Sequence, residues 1–242
     1  AELGELSVQY DLALRYLEGD GVEADPVQAV HWLSQAAELG DLRALETLAR
    51  CYQFGTGVEM DEVRAAELYR QCAEQDYVSA VCDLGLCYEN GTGVDPDPAR
   101  AAGLYLQAAE QDYAPAMCNL AVCYLNGIGV EADPVQAAAW LERAAAQDFP
   151  RAVSILGCCY RDGDGVEPDV VKAVDLFRQA VEAGYLPALC DLGLCYEMGT
   201  GVEPDPAQAV ALYAQAAEQD YVPAMCNLGY CCLLYTSPSP RD

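Results

Sequence analysis

Basic side chains are scarce in this sequence, and their scarcity excludes one class of partner. The 242 residues include 12 lysines and arginines against 39 aspartates and glutamates, for a net charge of −27, and Lys172 is the single lysine. Because so acidic a chain repels nucleic-acid phosphates, we expect no nucleic-acid partner. The carboxylate excess is typical of a solvated exterior that keeps an apolar protein in solution, and it leaves a basic protein partner open.

Histidine is scarcer still, since His31 is the only one. With this one histidine we can propose no Ser-His-Asp or Cys-His catalytic arrangement. A zinc site is not expected either, because the sequence also lacks a pair of Cys-x-x-Cys motifs. In the later repeats the position of His31 is occupied by residues typical of a solvent-facing position, namely Glu67, Gly103, Ala139, Asp175 and Ala211. We therefore expect His31 to be exposed. We therefore predict that the chain is not an enzyme, with no catalytic residue, no bound metal and no cofactor.

Long apolar runs are absent as well. Apolar side chains make up 53% of the sequence, which is enough for a sizeable core. No run reaches the roughly 18 residues that a membrane-spanning helix needs. We expect no membrane span.

What the sequence has instead is a repeat with a fixed period. The tripeptide Gly-x-Gly-Val, or a close variant, recurs every 36 residues, and the second glycine of each copy is Gly21, Gly57, Gly93, Gly129, Gly165 and Gly201. A period of roughly 20 to 50 residues indicates stacked structural repeats. Such an array usually offers an extended surface rather than one catalytic pocket.

The third repeat, residues 79–114, shows the pattern of one unit. Its first half has apolar residues at helical spacing, namely Ala80, Leu84, Cys87 and Tyr88. Gly91 and Gly93 end this helix, because glycine enters the left-handed backbone region at little cost. Asp97 and Pro98 then begin a second helix as N-cap and first residue. The pattern predicts two antiparallel helices joined by a loop of about seven residues.

A small residue recurs in the middle of every first helix. The residues at this position are Ala13, Ala49, Gly85, Ala121, Gly157, Gly193 and Gly229. A position that never carries a large side chain predicts a point where two helices touch closely.

These residues carry a family resemblance. The pattern A-x-x-x-L-G-x-C-Y-x-x-G-x-G-V, followed by D-P-x-x-A-x-x-L-Y-x-Q-A-A-E, resembles the Sel-one-like repeat, a relative of the tetratricopeptide repeat. The resemblance implies an all-α fold, an α-solenoid in which antiparallel helix pairs stack into a right-handed superhelix. It also implies a role as an adaptor or scaffold, since most members of the family act that way.

The repeat phase sets the expected boundaries. Six full repeats are predicted at residues 7–42, 43–78, 79–114, 115–150, 151–186 and 187–222. Residues 1–6 match the end of the first repeat and are expected to be the end of a preceding one. Residues 223–232 are expected to be the first helix of a seventh. Residues 233–242 lose the pattern and resemble a translated sequencing adaptor, so we expect a non-native tail.

The tetratricopeptide relationship implies a binding site. In such stacks the first helix of each repeat lines a concave groove, and by register the groove residues are Tyr10, Leu14, Leu17, Glu46, Arg50, Gln53, Cys82, Leu86, Glu89, Cys118, Val122, Leu125, Ser154, Cys158, Arg161, Cys190, Leu194 and Glu197. The implied ligand is a peptide or helix of another protein, with Arg50 and Arg161 pairing its acidic groups. The competing interpretation places the apolar members in the core.

The thirteen cysteines fall into phases of the repeat. The related repeat pattern has a small buried residue where this chain has Cys51, Cys87, Cys123, Cys159, Cys195 and Cys231, so we expect these six to fill the core. A second set comes five residues earlier, on the expected groove wall, and consists of Cys82, Cys118, Cys190 and Cys226.

Two alternatives to a stand-alone scaffold stay open. The chain resembles a secreted, cysteine-rich branch of the family whose helix pairs are disulfide-bridged and which implies weak β-lactam binding or hydrolysis. The cysteines whose separation is most similar to that of the bridged cysteines in that branch are Cys72 and Cys82, but their spacing differs from it. An odd total of 13 also leaves at least one cysteine unpaired. We therefore expect reduced cysteines and an intracellular protein, with a secreted or periplasmic one as the alternative. The other alternative is a regulatory array attached to an enzyme.

Overall fold

The computed structural model describes the backbone of residues 2–236 and the side chains of residues 8–231. Over that range the chain folds into thirteen α-helices and no strand. The helices are α1 (Glu2–Glu18), α2 (Pro26–Glu38), α3 (Leu42–Phe54), α4 (Glu62–Ala73), α5 (Val78–Asn90), α6 (Pro98–Glu110), α7 (Ala114–Asn126), α8 (Pro134–Ala145), α9 (Pro150–Asp162), α10 (Val170–Glu182), α11 (Leu186–Met198), α12 (Pro206–Ala217) and α13 (Val222–Thr236). We call the odd-numbered helices first helices and the even-numbered ones second helices.

The described residues form two compact units, one of residues 2–116 with 128–130 and one of residues 117–127 with 131–236. In the first unit, α1 to α6 pack in sequence order, each helix against the next. In the second unit, α8 to α13 pack in the same way. Stacked antiparallel helix pairs are the architecture of an α-solenoid, so the predicted fold class is confirmed.

Each first helix from α1 to α11 ends at a left-handed glycine, as predicted. In the third repeat the C-cap Gly91 has φ 73°, and its backbone N–H donates to the carbonyl oxygen of Cys87. Gly93 follows with φ 69°. A side chain is strained in this region, whereas glycine is not.

The second glycine of the turn also serves the packing between repeats. A Cβ built on Gly93 would collide with the carbonyl oxygen of Glu62, at the start of α4 in the preceding repeat. The same collision recurs between Gly57 and Pro26 and between Gly165 and Pro134. The glycine therefore lets the loop of one repeat rest on the second helix of the repeat before it.

Each second helix begins at an aspartate N-cap, also as predicted. Asp97 Oδ1 accepts from the backbone N–H of Arg100 at 3.0 Å, and Pro98 is the first helical residue. A side-chain acceptor at this position satisfies a donor that the first turn leaves free. The loop between α5 and α6 covers residues 91–97, the predicted length.

The turn from each second helix to the next first helix has a feature that the sequence did not reveal. Its left-handed residue is glycine at Gly40 and Gly184, whereas at the same phase Asp76, Asp112, Asp148 and Asp220 have φ between 55° and 59°. Aspartate is one of the few residues that tolerate this region.

The core is built from small side chains and from rings that reach across to them. A Cβ on Gly193 would lie 2.6 Å from the ring of Tyr213, and one on Gly85 equally close to Tyr105. This confirms the predicted close approach. The six cysteines expected in the core are at most 3% exposed, so their predicted role as packing groups is confirmed.

Two expectations concerned the ends of the chain. Residues 2–6, expected to end a preceding repeat, form the start of α1, and α13 continues past the expected end of the seventh repeat to Thr236. The remaining six residues of the expected foreign tail, 237–242, lie outside the described part of the chain.

Of the helices described, none combines the length and apolarity needed to cross a membrane.

Candidate functional site

Two positions on each first helix point away from the core. The earlier position holds Leu14, Arg50, Leu86, Val122, Cys158 and Leu194, and the later one holds Leu17, Gln53, Glu89, Leu125, Arg161 and Glu197. We call these twelve residues the first-helix face; half of them lie in each unit. All are exposed or half-buried, whereas the small residue preceding each pair is buried.

Large apolar side chains reach solvent on this face. Leu86 is 36% exposed and Leu194 42%, and at the helix ends next to the face Phe54 and Met198 are 67% and 69% exposed. Burying such side chains against a partner removes apolar area from water at roughly 25 cal/mol per Å². The face therefore offers free energy for association.

The third row of predicted groove residues lies deeper than expected. Cys82 is 3% exposed, Cys118 0% and Ser154 3%, so these three do not line an open surface. The reason is visible at Ser154, whose hydroxyl donates to Asp191 Oδ2 of the following first helix at 3.2 Å. This row faces the seam between neighbouring first helices, and its members Tyr10, Glu46 and Cys190 are half-buried.

Each unit has a cavity on its first-helix face. The cavity of the first unit measures about 290 Å³, and six of the residues around it are Tyr10, Leu14, Leu17, Thr47, Arg50 and Phe54. The cavity of the second unit measures about 580 Å³, with Cys190, Leu194, Glu197, Met198, Asn227 and Tyr230 among its lining residues. Apolar and charged side chains line both cavities together, as is common in ligand sites on proteins.

The two arginines of the face lie beside carboxylates of their own unit. Arg50 is 3.9 Å from Asp83, and its side chain remains 56% exposed. Arg161 makes two hydrogen bonds to Asp162, at 2.7 and 2.8 Å, and lies 3.9 Å from Asp191. Exposed pairs at such distances contribute little to stability, so Arg50 in particular can exchange its partner.

The aspartates opposite these arginines were not among the predicted site residues. Burial and, to a smaller extent, the nearby carboxylate of Glu46 raise the pKa of Asp83, and with the opposing effect of Arg50 the net pKa is about 6. Burial likewise raises the pKa of Asp191, against the opposing effects of Ser154 and Arg161. The sequence signal was an aspartate directly after a groove cysteine, in Cys82-Asp83 and Cys190-Asp191, inside an otherwise apolar helix.

Tyrosine hydroxyls from the second helices reach the later row of the face. Tyr69 donates to Gln53 at 3.0 Å and Tyr213 donates to Glu197 at 2.9 Å. Tyr105 makes the equivalent hydrogen bond to Glu89. These bonds fix the orientation of the polar residues on the face.

Burial keeps four of the cysteine thiols protonated. Burial raises the pKa of Cys72 and Cys158 to about 12, and that of Cys118 and Cys190 to about 11. A thiol is a poor nucleophile compared with a thiolate. The electrostatics of these four residues therefore suit packing rather than chemistry.

The remaining titratable groups do not converge on a site. His31 is exposed, as predicted, and its ring lies 3.0 Å from the side-chain amide of Gln35. Within residues 8–231, no group of three or more histidines, cysteines or carboxylates is arranged to hold a metal ion.

Comparison with known families accounts for nearly the whole chain. The Sel1 repeat matches seven times, at residues 6–41, 43–77, 78–113, 114–149, 150–185, 186–221 and 222–235. No curated protein matches the sequence.

Solved structures give the same result. A Sel1 repeat protein from Oxalobacter formigenes is 32% identical, with a TM-score of 0.82 over 88% of both chains. A protective antigen of uropathogenic Escherichia coli with an SLR fold is also 32% identical, with a TM-score of 0.78. That match covers 99% of this chain and 51% of the antigen, so the chain spans about half the antigen's length.

A more distant likeness extends to an immunity protein from Pseudomonas aeruginosa. It is 23% identical, with a TM-score of 0.60, over 87% of this chain and 81% of its own. At this identity the likeness concerns the fold alone.

Proposed function

The chain belongs to the Sel1 repeat family, and from that premise we propose that it is a non-catalytic scaffold that binds a segment of another protein along its first-helix face. The single observation that carries this proposal is the exposure of large apolar side chains, Leu86 in the first unit and Leu194 in the second, beside charged side chains of the first-helix face. Membership of the family supplies the repeat architecture, and the residues of the face supply the means of binding.

The two cavities support the same surface. Each is lined by several residues of the first-helix face, with Leu14 and Arg50 in the first unit and Leu194 and Glu197 in the second. A linear peptide or a helix presents side chains at regular intervals, so that one or two of them can enter such cavities while the rest lie on the face. The ligand that fits is a protein segment with apolar anchors and charged flanks.

The absence of catalysis in this proposal rests on chemistry. Burial raises the thiol pKa values of the half-buried Cys158 and Cys190, which line the same surface. His31 belongs to a second helix and lies exposed, away from the face. Neither residue type is placed to generate an activated nucleophile.

The test is a titration with matched charge reversals. A partner isolated on the immobilised chain is purified and titrated calorimetrically against Arg50→Glu/Arg161→Glu. We expect its affinity to fall about tenfold or more, equivalent to about 1.4 kcal/mol, because a cation on the face becomes an anion in both units.

The control carries the same charge change on the second helices. Arg64 and Arg178 lie one in each unit on second helices, are 49% and 46% exposed, and pair with Glu67 and Asp175 of their own helices. Arg178 also donates a hydrogen bond to the hydroxyl of Tyr196 on α11, at 3.2 Å. Arg64→Glu/Arg178→Glu is expected to bind like the wild type. Equal losses in the two double variants would mean that net charge, rather than the first-helix face, governs binding.

A further inference from the structure

In four of the six full repeats the later face residue contacts a buried residue sixteen positions further along, on the second helix. The other two repeats have leucine at both positions. We infer that this buried residue selects and positions the face residue of its repeat, and so determines the chemistry that each repeat offers to a partner. The inference rests on the proposed function of the first-helix face, whose specificity it explains.

The tyrosine repeats show the coupling directly. Tyr69, Tyr105 and Tyr213 are at most 1% exposed, and their hydroxyls donate to the side-chain oxygens of Gln53, Glu89 and Glu197. In all three repeats the face residue is therefore an acceptor. A buried hydroxyl without an acceptor would cost free energy, so a tyrosine at this position restricts the choice of its face partner.

The fifth repeat has no such hydroxyl and a different partner. Phe177 occupies the position of the tyrosines, and the guanidinium of Arg161 lies 5.9 Å from the centre of its ring. A ring face attracts a cation, whereas phenylalanine has no donor that needs an acceptor. This is also the one full repeat whose later face residue is basic.

The first and fourth repeats have leucine at both positions. The pairs are Leu17 with Leu33 and Leu125 with Leu141, each separated by sixteen residues. Leu33 and Leu141 are fully buried. An aliphatic side chain offers neither a donor nor a ring, and its face partner is apolar in both cases.

The small residue of the first helix also varies with the buried residue of the second helix. A Cβ on Gly157 or Gly193 would lie 2.7 or 2.6 Å from the ring of Phe177 or Tyr213. Where the second helix has leucine, the first helix has Ala13 or Ala121 instead. The second repeat, with Ala49 and Tyr69, is the exception. Three positions of a repeat thus vary together, although two of them are hidden from a partner.

The consequence is a defined sequence of groups along each unit. In the first unit the later row reads apolar, neutral polar, acidic, and in the second unit it reads apolar, basic, acidic. A protein segment that fits the second unit carries an apolar, an acidic and a basic side chain in that order. The buried partners hold these groups in place before the segment arrives.

The pair of the sixth repeat permits a test by exchange. Glu197→Arg removes the acceptor of Tyr213, and adding Tyr213→Phe recreates the pair of the fifth repeat. We expect the melting temperature to fall by about 2–8 °C in Glu197→Arg and to recover by at least half in the double variant. Glu197→Gln, which recreates the pair of the second repeat, is expected to melt like the wild type. Glu182→Arg, an exposed reversal at the end of α10, corrects for net charge.

Binding is measured on the same proteins with the partner isolated on the wild-type chain. The Glu197→Arg/Tyr213→Phe variant is expected to fold like the wild type but to lose affinity at least about tenfold, since an anion of the face has become a cation. Tyr213→Phe alone completes a double-mutant cycle with Glu197→Arg and the double variant. If the melting shifts of the two single variants add up to that of the double variant, the inference is overturned, whatever happens to binding. Coupled shifts with unchanged affinity would overturn the role of the pair in recognition. The proposed function is contradicted by a different result, namely an affinity that Arg50→Glu/Arg161→Glu also leaves unchanged.

Discussion

Asp83 is a carboxylate that the fold keeps partly away from water and places near a second carboxylate. Burial, followed by the charge of Glu46, raises its pKa from an ordinary value of 3.8 to about 6. Below about pH 4 the group is protonated in both the folded and the unfolded chain and costs nothing. Between about pH 4 and 6 only the unfolded chain releases the proton, so the free energy of unfolding decreases as pH rises.

Asp83→Asn is therefore expected to stabilise the chain at pH 7 and not at pH 4. A shift of about two pKa units corresponds to about 3 kcal/mol; we expect about 1–2 kcal/mol because the side chain is 26% exposed and faces Arg50. Urea unfolding of both proteins at the two pH values measures the difference. Asp175→Asn, at an exposed aspartate of α10, is the control for the loss of one negative charge. A gain of equal size at pH 4 and pH 7 would contradict the assignment.

Gly193 tests the packing of rings against the first helices. In Gly193→Ala the new methyl group would lie 2.6 Å from the ring of Tyr213, so we expect a loss of about 1–3 kcal/mol from overpacking. Gly103 is also helical, but a Cβ there meets nothing within 4 Å. Gly103→Ala should stabilise the chain by roughly 0.5–1 kcal/mol through helix propensity. Thermal unfolding that shifts in the same direction for both variants would show that the ring does not constrain Gly193.

At this scale the sequence predicted some residues well and others poorly. The core cysteines and the exposed His31 follow from the repeat pattern, and both predictions are confirmed. Cys82, Cys118 and Ser154 are buried against neighbouring repeats, and helical periodicity within one repeat contains no information about that contact. The raised pKa of Asp83 depends on burial between helices for the same reason.

The loop between the two helices of a repeat packs against the preceding repeat. Gly21 and Gly93 occupy the same phase with nearly equal φ of 71° and 69°. A Cβ on Gly93 collides with the backbone of Glu62, whereas one on Gly21 meets nothing within 4 Å. A side chain at either position would therefore meet the same left-handed strain, but only at position 93 would it also collide with the preceding repeat.

Gly93→Ala is expected to cost about 2–6 kcal/mol, the sum of left-handed strain and overpacking. Gly21→Ala should cost only the strain, about 1–3 kcal/mol. Chemical denaturation of the two variants gives the difference, which measures the contact between repeats. If the two losses are equal, that contact contributes nothing.

Helix boundaries were predictable because their signals are local. A glycine after the first helix and an Asp-Pro pair before the second satisfy backbone groups within a few residues, and the structure has both where the sequence placed them. The return turn was not predictable in the same way. Asp76 and Asp112 adopt left-handed backbone there, yet aspartate is common throughout the chain and does not by itself mark such a turn.

The whole chain carries a net charge of −27, and most of its acidic groups have no basic partner available, since only 12 residues are basic. Repulsion among them opposes compaction and is screened by salt. We expect the melting temperature to rise by roughly 2–8 °C between about 0.01 and 0.5 M NaCl, the change for about 1–2 kcal/mol in a chain of this size. Potassium chloride should act equally. A melting temperature that falls with salt would show that attractive ion pairs dominate.

The central claim is that the first helices, rather than the second, bind the partner. Hydrogen–deuterium exchange on the chain with and without its isolated partner tests this most directly, because each helix yields its own peptides. We predict that exchange slows in first helices such as α3 and α11, next to Arg50 and Leu194, and stays unchanged in α4 and α10. Slower exchange confined to the second helices would contradict the account.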